Sequence, residues 1–283
     1  MKPEAIAARV WPGKRLELEV LGGGITNRNF KATVDGERYV LRIGGKDTEL
    51  LGIDRAAEYA ASRVAAELGL APEVVAYVEP EGYLVTRYVG GAVGDVDVAR
   101  VGALLRRLHD GPDVPARFDS FRVVEIYRQT ALEHGVAVPP AYGRAKEIAD
   151  SIERRRASPE PRPCHNDLLN ANFIAAGGRL WIVDWEYAGM GDPFFDLGNF
   201  AVNHELDAAG ERALLTAYLG EADETTLELL REMRFMSDFR EAMWGVVQQG
   251  ISELDFDFRA YADEHFERLE RTAADRRFRA ALH

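Results

Sequence analysis

The sequence predicts an α+β fold of two lobes, a small β-rich lobe followed by a larger, mainly helical one. Three observations carry this reading. Up to about residue 89, apolar residues recur at alternate positions in short runs set apart by glycine-bearing turns, the signature of half-buried strands. Gly90-Gly91 then interrupts the pattern. Beyond it, apolar residues recur at three- and four-residue spacing, the period of helices packed on a core, with one short return to period two.

The elements follow in order. Leu16-Glu17-Leu18-Glu19-Val20 alternates as a strand and runs into the glycine cluster Gly22-Gly23-Gly24. Residues 29–34 and 39–43 are two more strands, joined at Asp35-Gly36, a strong hairpin signal. A helix is expected from Asp54 as N-cap to Leu68, stopped by Gly69. Two strands, Val74 to Val78 and Tyr83 to Val89, flank the turn Glu79-Pro80-Glu81-Gly82. The hinge expected at Gly90-Gly91 divides a small β-rich lobe, 1–89, from a larger helical lobe, 90–283. Helices are expected at Val98–His109, Phe121–His134 and Tyr142–Arg156. A short hairpin, Phe173-Ile174-Ala175 and Leu180-Trp181-Ile182-Val183 around Gly177-Gly178, precedes a helical remainder from Pro193 onwards.

Composition narrows the function classes. The 283 residues suffice for a large core. Against 47 acidic residues stand 35 basic ones, a formal charge of −12. Nucleic-acid binding needs a basic footprint, which this balance lacks, and an anionic membrane surface is a poor partner for the same reason. A single cysteine excludes an intramolecular disulfide framework and a cysteine-rich zinc site. No apolar run approaches the roughly 20 residues of a membrane-spanning helix, and the first residues lack an apolar signal core. A cytoplasmic protein is expected; a homodimer is left open.

The chemistry concentrates in Cys164-His165-Asn166-Asp167-Leu168-Leu169-Asn170-Ala171-Asn172, followed by Asp184-Trp185-Glu186 at the end of the hairpin. Phosphoryl transfer needs such groups: a carboxylate to accept or orient the nucleophile's proton, and an Asn oxygen and second carboxylate as hard ligands for Mg²⁺. The pattern H-x-D-x-x-x-x-N with a later D-[FW]-E resembles the aminoglycoside phosphotransferase and choline/ethanolamine kinase group, whose enzymes are similar in fold to the protein kinases. The strings LGGGITNRNF, YVLRIGG, CHNDLLNANF and VDWEYAGMGDPFFDLGNF are similar to the choline kinase branch, its bacterial members above all. The likeness spans about Leu21 to Gln248.

That resemblance implies a protein-kinase-like fold, ATP and Mg²⁺ as cofactors, and roles residue by residue. Asp167 is then the catalytic base. Asn172 and Asp184 hold Mg²⁺, and Glu186 lies at the metal or substrate edge. His165 holds the loop by hydrogen bonds instead of reacting. Gly23, Gly24, Thr26 and Asn27 form the nucleotide loop, although the cluster alone reads as a turn. Arg42 meets the phosphates, a task that suits a forked guanidinium, and Glu58 on the following helix orients it. The competing reading is a surface pair of Arg55 with Glu58. Adenine is expected beside Thr86, Arg87, Tyr88 and Val89.

The acceptor is implied to be a small cationic alcohol, choline first and ethanolamine next, held by Tyr187, Asn199, Glu241 and Trp244 through cation–π and Coulomb attraction. Asp196 reads as a brace for the metal loop. Two departures from the eukaryotic choline kinase pattern stand out: Glu241 replaces the first of two tryptophans three apart, and Asn203 replaces an acidic residue. Glu241 would suit a primary ammonium or another cationic alcohol. Cys164 reads as a small buried residue and His109 as a helix-end contact. Alternatives are an aminoglycoside, thiamine or sugar phosphotransferase of the same fold, and a nucleotide-binding pseudoenzyme.

Overall fold

The computed structural model describes residues 2–22, 27–94, 96–156 and 159–282. The chain opens with α1 (Pro3–Val10), a helix outside the expected elements, which starts on a proline and buries Ile6 and Ala7. Next come β1 (Leu16–Leu21), β2 (Asn27–Val34) and β3 (Glu37–Gly44). Asp35 and Gly36 both take positive φ between β2 and β3, the conformation of a tight hairpin turn. Helix α2 (Arg55–Glu67) is capped by Asp54, whose side chain accepts from the amides of Ala56 and Ala57 at 2.8 and 3.1 Å. It ends at Gly69, whose φ of 67° is cheap only for glycine. Strands β4 (Val74–Val78) and β5 (Tyr83–Arg87) complete an antiparallel sheet of order β1-β2-β3-β5-β4.

Period two sorts the sheet's faces. Tyr39, Leu41 and Ile43 of β3 join the core with Phe30, Ala32, Val34, Val85 and the two buried residues of α1. Val40 and Arg42 point the other way, into a cleft. Beyond Gly90-Gly91, β6 (Ala92–Val93) lies outside this sheet and pairs with a strand far along the chain. Gly91 permits that approach: a Cβ there would stand 2.2 Å from the carbonyl oxygen of Ala175.

The remainder is α3 (Val98–His109), α4 (Ser120–Glu133), α5 (Ala141–Arg155), β7 (Arg162–Cys164), β8 (Phe173–Ala176), β9 (Arg179–Ile182), β10 (Gly189–Gly191), α6 (Pro193–Asn203), α7 (Ala208–Leu219), α8 (Glu224–Ile251), α9 (Phe258–Ala274) and α10 (Arg276–Ala281). The expected hairpin is β8–β9, turning at Gly177-Gly178 and carrying β6 on its free edge. The ladder β7–β10 clamps the two ends of the segment between Cys164 and Gly189. Helix α8 is the axis of the helical part. It is 28 residues long and buried almost without interruption from Met233 to Gln248. Apolar residues of α4, α5 and α9 pack on one side of it, while β8, β9, α3, α6 and α7 build a second core. Helix α8 therefore carries Glu232, Asp238, Arg240 and Glu241 through the interior, where each charge must find a partner. No described helix is long and apolar enough to cross a membrane.

Candidate active site

The loop that follows β7 is held from beneath. His165 is fully buried; its Nε2 donates to the carbonyl of Val183 at 3.0 Å and its Nδ1 accepts from the amide of Asp167 at 3.2 Å. Burial lowers its pKa, which keeps the neutral tautomer those two bonds need. Asp196, in the first turn of α6, accepts from the amides of His165 (2.8 Å) and Asn166 (2.7 Å) and meets His109 Nε2 at 3.1 Å. His109, at the end of α3, also pairs with the Tyr218 hydroxyl at 2.8 Å. Asn166 takes a φ of 64° and donates to the carbonyl of Tyr187 at 3.0 Å. Asn and Asp tolerate this left-handed region better than other residues with a Cβ.

Asn199 belongs to this undercarriage and not to the acceptor wall, where it was expected. Its oxygen accepts from the Leu168 amide and its nitrogen donates to Ser237 Oγ at 2.9 Å. It is fully buried with both polar ends committed, so it braces the loop. Cys164 is likewise buried, and burial pushes its thiol up.

The loop delivers Asp167 into a web of charges. One carboxylate oxygen lies 3.1 Å from Arg240 Nη1, the other 3.3 Å from Asn172 Nδ2, which also donates to the Asp167 carbonyl at 2.7 Å. Burial pushes the Asp167 carboxyl up to about 8; Arg240 opposes this, and Glu241, Asp184 and Glu186 reinforce it. Across the cleft, Arg42 pairs with Asp184, with Glu186 at 3.2 Å and with Glu58 at 3.3 Å. Glu58 is buried and also takes Arg55 at 2.7 Å, so it meets both guanidinium groups, and the Arg55 pair lies inside the protein instead of on the helix surface. Glu186 receives Arg55 at 3.2 Å and Asn27 Nδ2 at 2.8 Å, and its pKa is raised by burial first and by Asp184 second. Asp184 holds a φ of 68°, a left-handed backbone of the kind that collects at functional sites.

A cavity of about 410 Å³ opens between the five-stranded sheet and the β8–β9 hairpin. Val40, Arg42, Thr86, Tyr88, Val89 and Asp184 are among the residues that line it, with Asn172 at the same end as Asp184. The Tyr88 amide donates to the Arg38 carbonyl at 3.1 Å, and Lys31 and Arg38 stand 5.6 and 5.2 Å from its ring centre. Leu21 and Gly22 form part of the rim. Gly23, Gly24 and Thr26 lie outside the described residues.

The donor set fits Mg²⁺. With its nitrogen turned to Asp167, Asn172 keeps its amide oxygen; Asp184 keeps one carboxylate oxygen outside the Arg42 pair; both residues line the same cavity. These are the hard oxygen donors that Mg²⁺ prefers.

On the other flank, Tyr187 and Trp244 meet: the indole Nε1 donates to the phenol oxygen at 3.0 Å. Glu241 accepts from Arg240 and from the Tyr261 hydroxyl at 2.7 Å, so its charge is already matched inside the protein. Arg240 and Tyr261 escaped the sequence reading. An Arg-Glu pair set in the apolar stretch of α8 was the available signal, since a buried helix does not carry charge without cause. A second cavity of about 410 Å³ lies beyond Asn27, lined also by Gly44, Thr48, Leu51 and Gln248.

Comparison with known proteins now decides the family. Residues 17–236 match the model of the phosphotransferase enzyme family. The chain belongs to this family. A solved choline/ethanolamine kinase family protein from Mesorhizobium loti shares 34% identity and superposes with a TM-score of 0.83, covering 99% of this chain and 97% of the other. Protein LicA of Haemophilus influenzae is 28% identical over 215 residues, 71% of this chain and 62% of the relative. Mouse ethanolamine kinase 2 is 26% identical, covering 89% of this chain and 75% of the relative. The expected family, its choline/ethanolamine kinase branch and the protein-kinase-like fold are thereby established. So is the enzyme class, a phosphotransferase acting on an alcohol group.

Proposed function

We propose that this phosphotransferase moves the γ-phosphoryl group of ATP to the hydroxyl of a small molecule, with Asp167 as its base. The supporting observation is the position of Asp167. One of its oxygens faces Asn172, on the cavity we assign to ATP, and the other faces Arg240, on the flank we assign to the acceptor. In the reaction, the acceptor oxygen forms a bond to the γ-phosphorus as the bond to the β,γ-bridging oxygen breaks. The hydroxyl proton passes to Asp167, and ADP departs. Val40, Leu84, Tyr88 and Val89 would enclose adenine. Arg42, held by Glu58, would face the phosphates. Asn172 and Asp184 would hold Mg²⁺, which when bound draws charge off the phosphate oxygens. His165, Asp196 and Asn199 fix the loop so that Asp167 needs no reorganisation.

Relatedness supports an amino alcohol as the acceptor to test first, choline or ethanolamine, with thiamine, sugars and aminoglycosides behind them. A cytoplasmic setting, where Mg²⁺-ATP is abundant, goes with this reading. The test is ADP release from Mg²⁺-ATP against that panel, with Asp167→Asn as control. Saturable turnover lost in the control is the expected result. Turnover that survives in Asp167→Asn overturns the base assignment, and nucleotide binding without transfer to any alcohol leaves a pseudoenzyme.

A further inference from the structure

The acceptor flank already contains a cation. Arg240 is 1% exposed in the middle of α8. Its guanidinium carbon stands 4.2 Å from the centre of the Tyr187 ring. Its Nη1 lies 3.1 Å from Asp167 and bonds to Glu241. Trp244 locks Tyr187 by its indole N–H, and Tyr261 locks Glu241 by its hydroxyl. An aromatic face ringed by carboxylates is what a protein builds to seat an ammonium ion. Here the seat is taken by the protein's own side chain. Burial works against the charge on Arg240, but Glu241, Tyr127, Asp167 and Tyr187 more than offset it, and its pKa lies well above the usual value.

The guanidinium is not saturated. Its Nε and Nη2 are buried and make no hydrogen bond of standard geometry among the described residues; the Tyr127 hydroxyl, which itself donates to the Leu51 carbonyl, is the polar neighbour of the guanidinium. Buried donors in this state call for an oxygen acceptor. The neighbouring cavity adds no demand for a cation: its charged lining is balanced, with Arg28 and Lys46 against Asp47 and Glu253, and Lys46 pairs with Glu253 at 3.0 Å.

We propose that Arg240 determines acceptor specificity by occupying the seat of an ammonium group, so that the acceptor is an alcohol whose head group carries an oxygen acceptor, a second hydroxyl or a carboxylate. This rests on the kinase reading and changes the acceptor within it. A trimethylammonium group brings no oxygen acceptor to the N–H groups of Nε and Nη2 and meets a fixed like charge. Removing the guanidinium leaves Tyr187, Trp244, Glu241 and Asp167 as a vacant acidic and aromatic box, which suits choline.

The test uses the full chain as wild type, Arg240→Leu and Arg240→Lys. Turnover is measured with Mg²⁺-ATP and choline, ethanolamine, glycerol or glycerate, the last two separating a hydroxyl from a carboxylate head group. Choline binding is measured by calorimetry in parallel. The wild type is expected to favour glycerol or glycerate over choline by about 100-fold or more, as a site built for hydrogen bonds does. Arg240→Leu should raise choline turnover and binding by about tenfold and lower the oxygen-bearing alcohol by at least as much, while Arg240→Lys keeps the wild-type order. Efficient use of choline by the wild type, unchanged or weakened in Arg240→Leu, overturns the proposal. If no alcohol is phosphorylated by any form, the kinase reading fails, and calorimetry still decides: choline heat in Arg240→Leu alone supports the proposal, and equal heat in both overturns it. Should Arg240→Leu lack a cooperative melt, Arg240→Gln, which keeps length and loses charge, takes its place under the same criteria.

Discussion

The cavity of about 410 Å³ proposed for the nucleotide and the buried charges of α8 proposed for the acceptor side are built on opposite plans. The cavity is lined largely by apolar residues, Val40, Leu84, Val89 and Ile174 among them, with Arg42, Arg87 and Asp184 as its charged members. On the flank proposed for the acceptor stand buried charges of one helix, where Arg240 pairs with both Glu241 and Asp167. On the proposed reading, nucleotide binding would be spread over a sheet and acceptor choice would rest on a few residues of α8.

Four experiments break or sharpen that contrast. The largest effect is expected for Asp167→Asn, which should lower kcat by about 10³–10⁴-fold, the upper range for loss of a general base. Nucleotide affinity, read by calorimetry, should stay within about threefold of wild type; a parallel collapse would show that the two sides are one. Asp196→Ala comes next. It strips two buried amides and His109 of their acceptor, and should cost about 3 kcal/mol of stability in denaturant titration and lower kcat as the loop loosens. Glu58→Gln is smaller: with Arg42 less firmly held, KM for ATP should rise about tenfold while KM for the acceptor stays put. A rise in the acceptor KM alone would move Glu58 to the other flank.

The smallest concerns pH. Burial raises the Asp167 pKa to about 8, so between about pH 4 and 8 the folded chain keeps a proton that the unfolded chain releases. The stability this gives is present below the unfolded pKa and lost as pH rises through 8. Asp167→Asn removes that loss. Its Tm advantage over the nucleotide-free wild type should grow from pH 5 to pH 9 by at least about 2–4 °C, the shift from about 1 kcal/mol in a protein of this size. A constant difference would show that Asp167 ionises freely.

The strands of the first lobe and the cap at Asp54 were legible because alternation and capping are local signals, carried by adjacent residues. The loop that carries Asp167 was legible because its Asp and Asn sit five apart in one string. Strands β6, β7 and β10 were not, since two or three residues hold no period and exist only through partners far along the chain. Helix α1 escaped because its short apolar stretch gains meaning only against the sheet it covers. At the site, Asp167, Asn172, Arg42 and Glu58 were found and converge. Asn199 was assigned to the wrong side of the loop: sequence gives its neighbourhood, but not which face of α6 meets the core. Arg240 was passed over because its weight comes from Tyr187 and Asp167, some 50 and 70 residues earlier.

The lone cysteine has a practical consequence. Cys164 is 1% exposed, and its thiol is pushed up by burial, so little reactive thiolate forms near neutral pH. The native chain is therefore close to silent toward maleimide dyes. A cysteine introduced at Val20 on β1, 78% exposed, would carry a fluorophore almost alone and leave the lining of the cleft untouched.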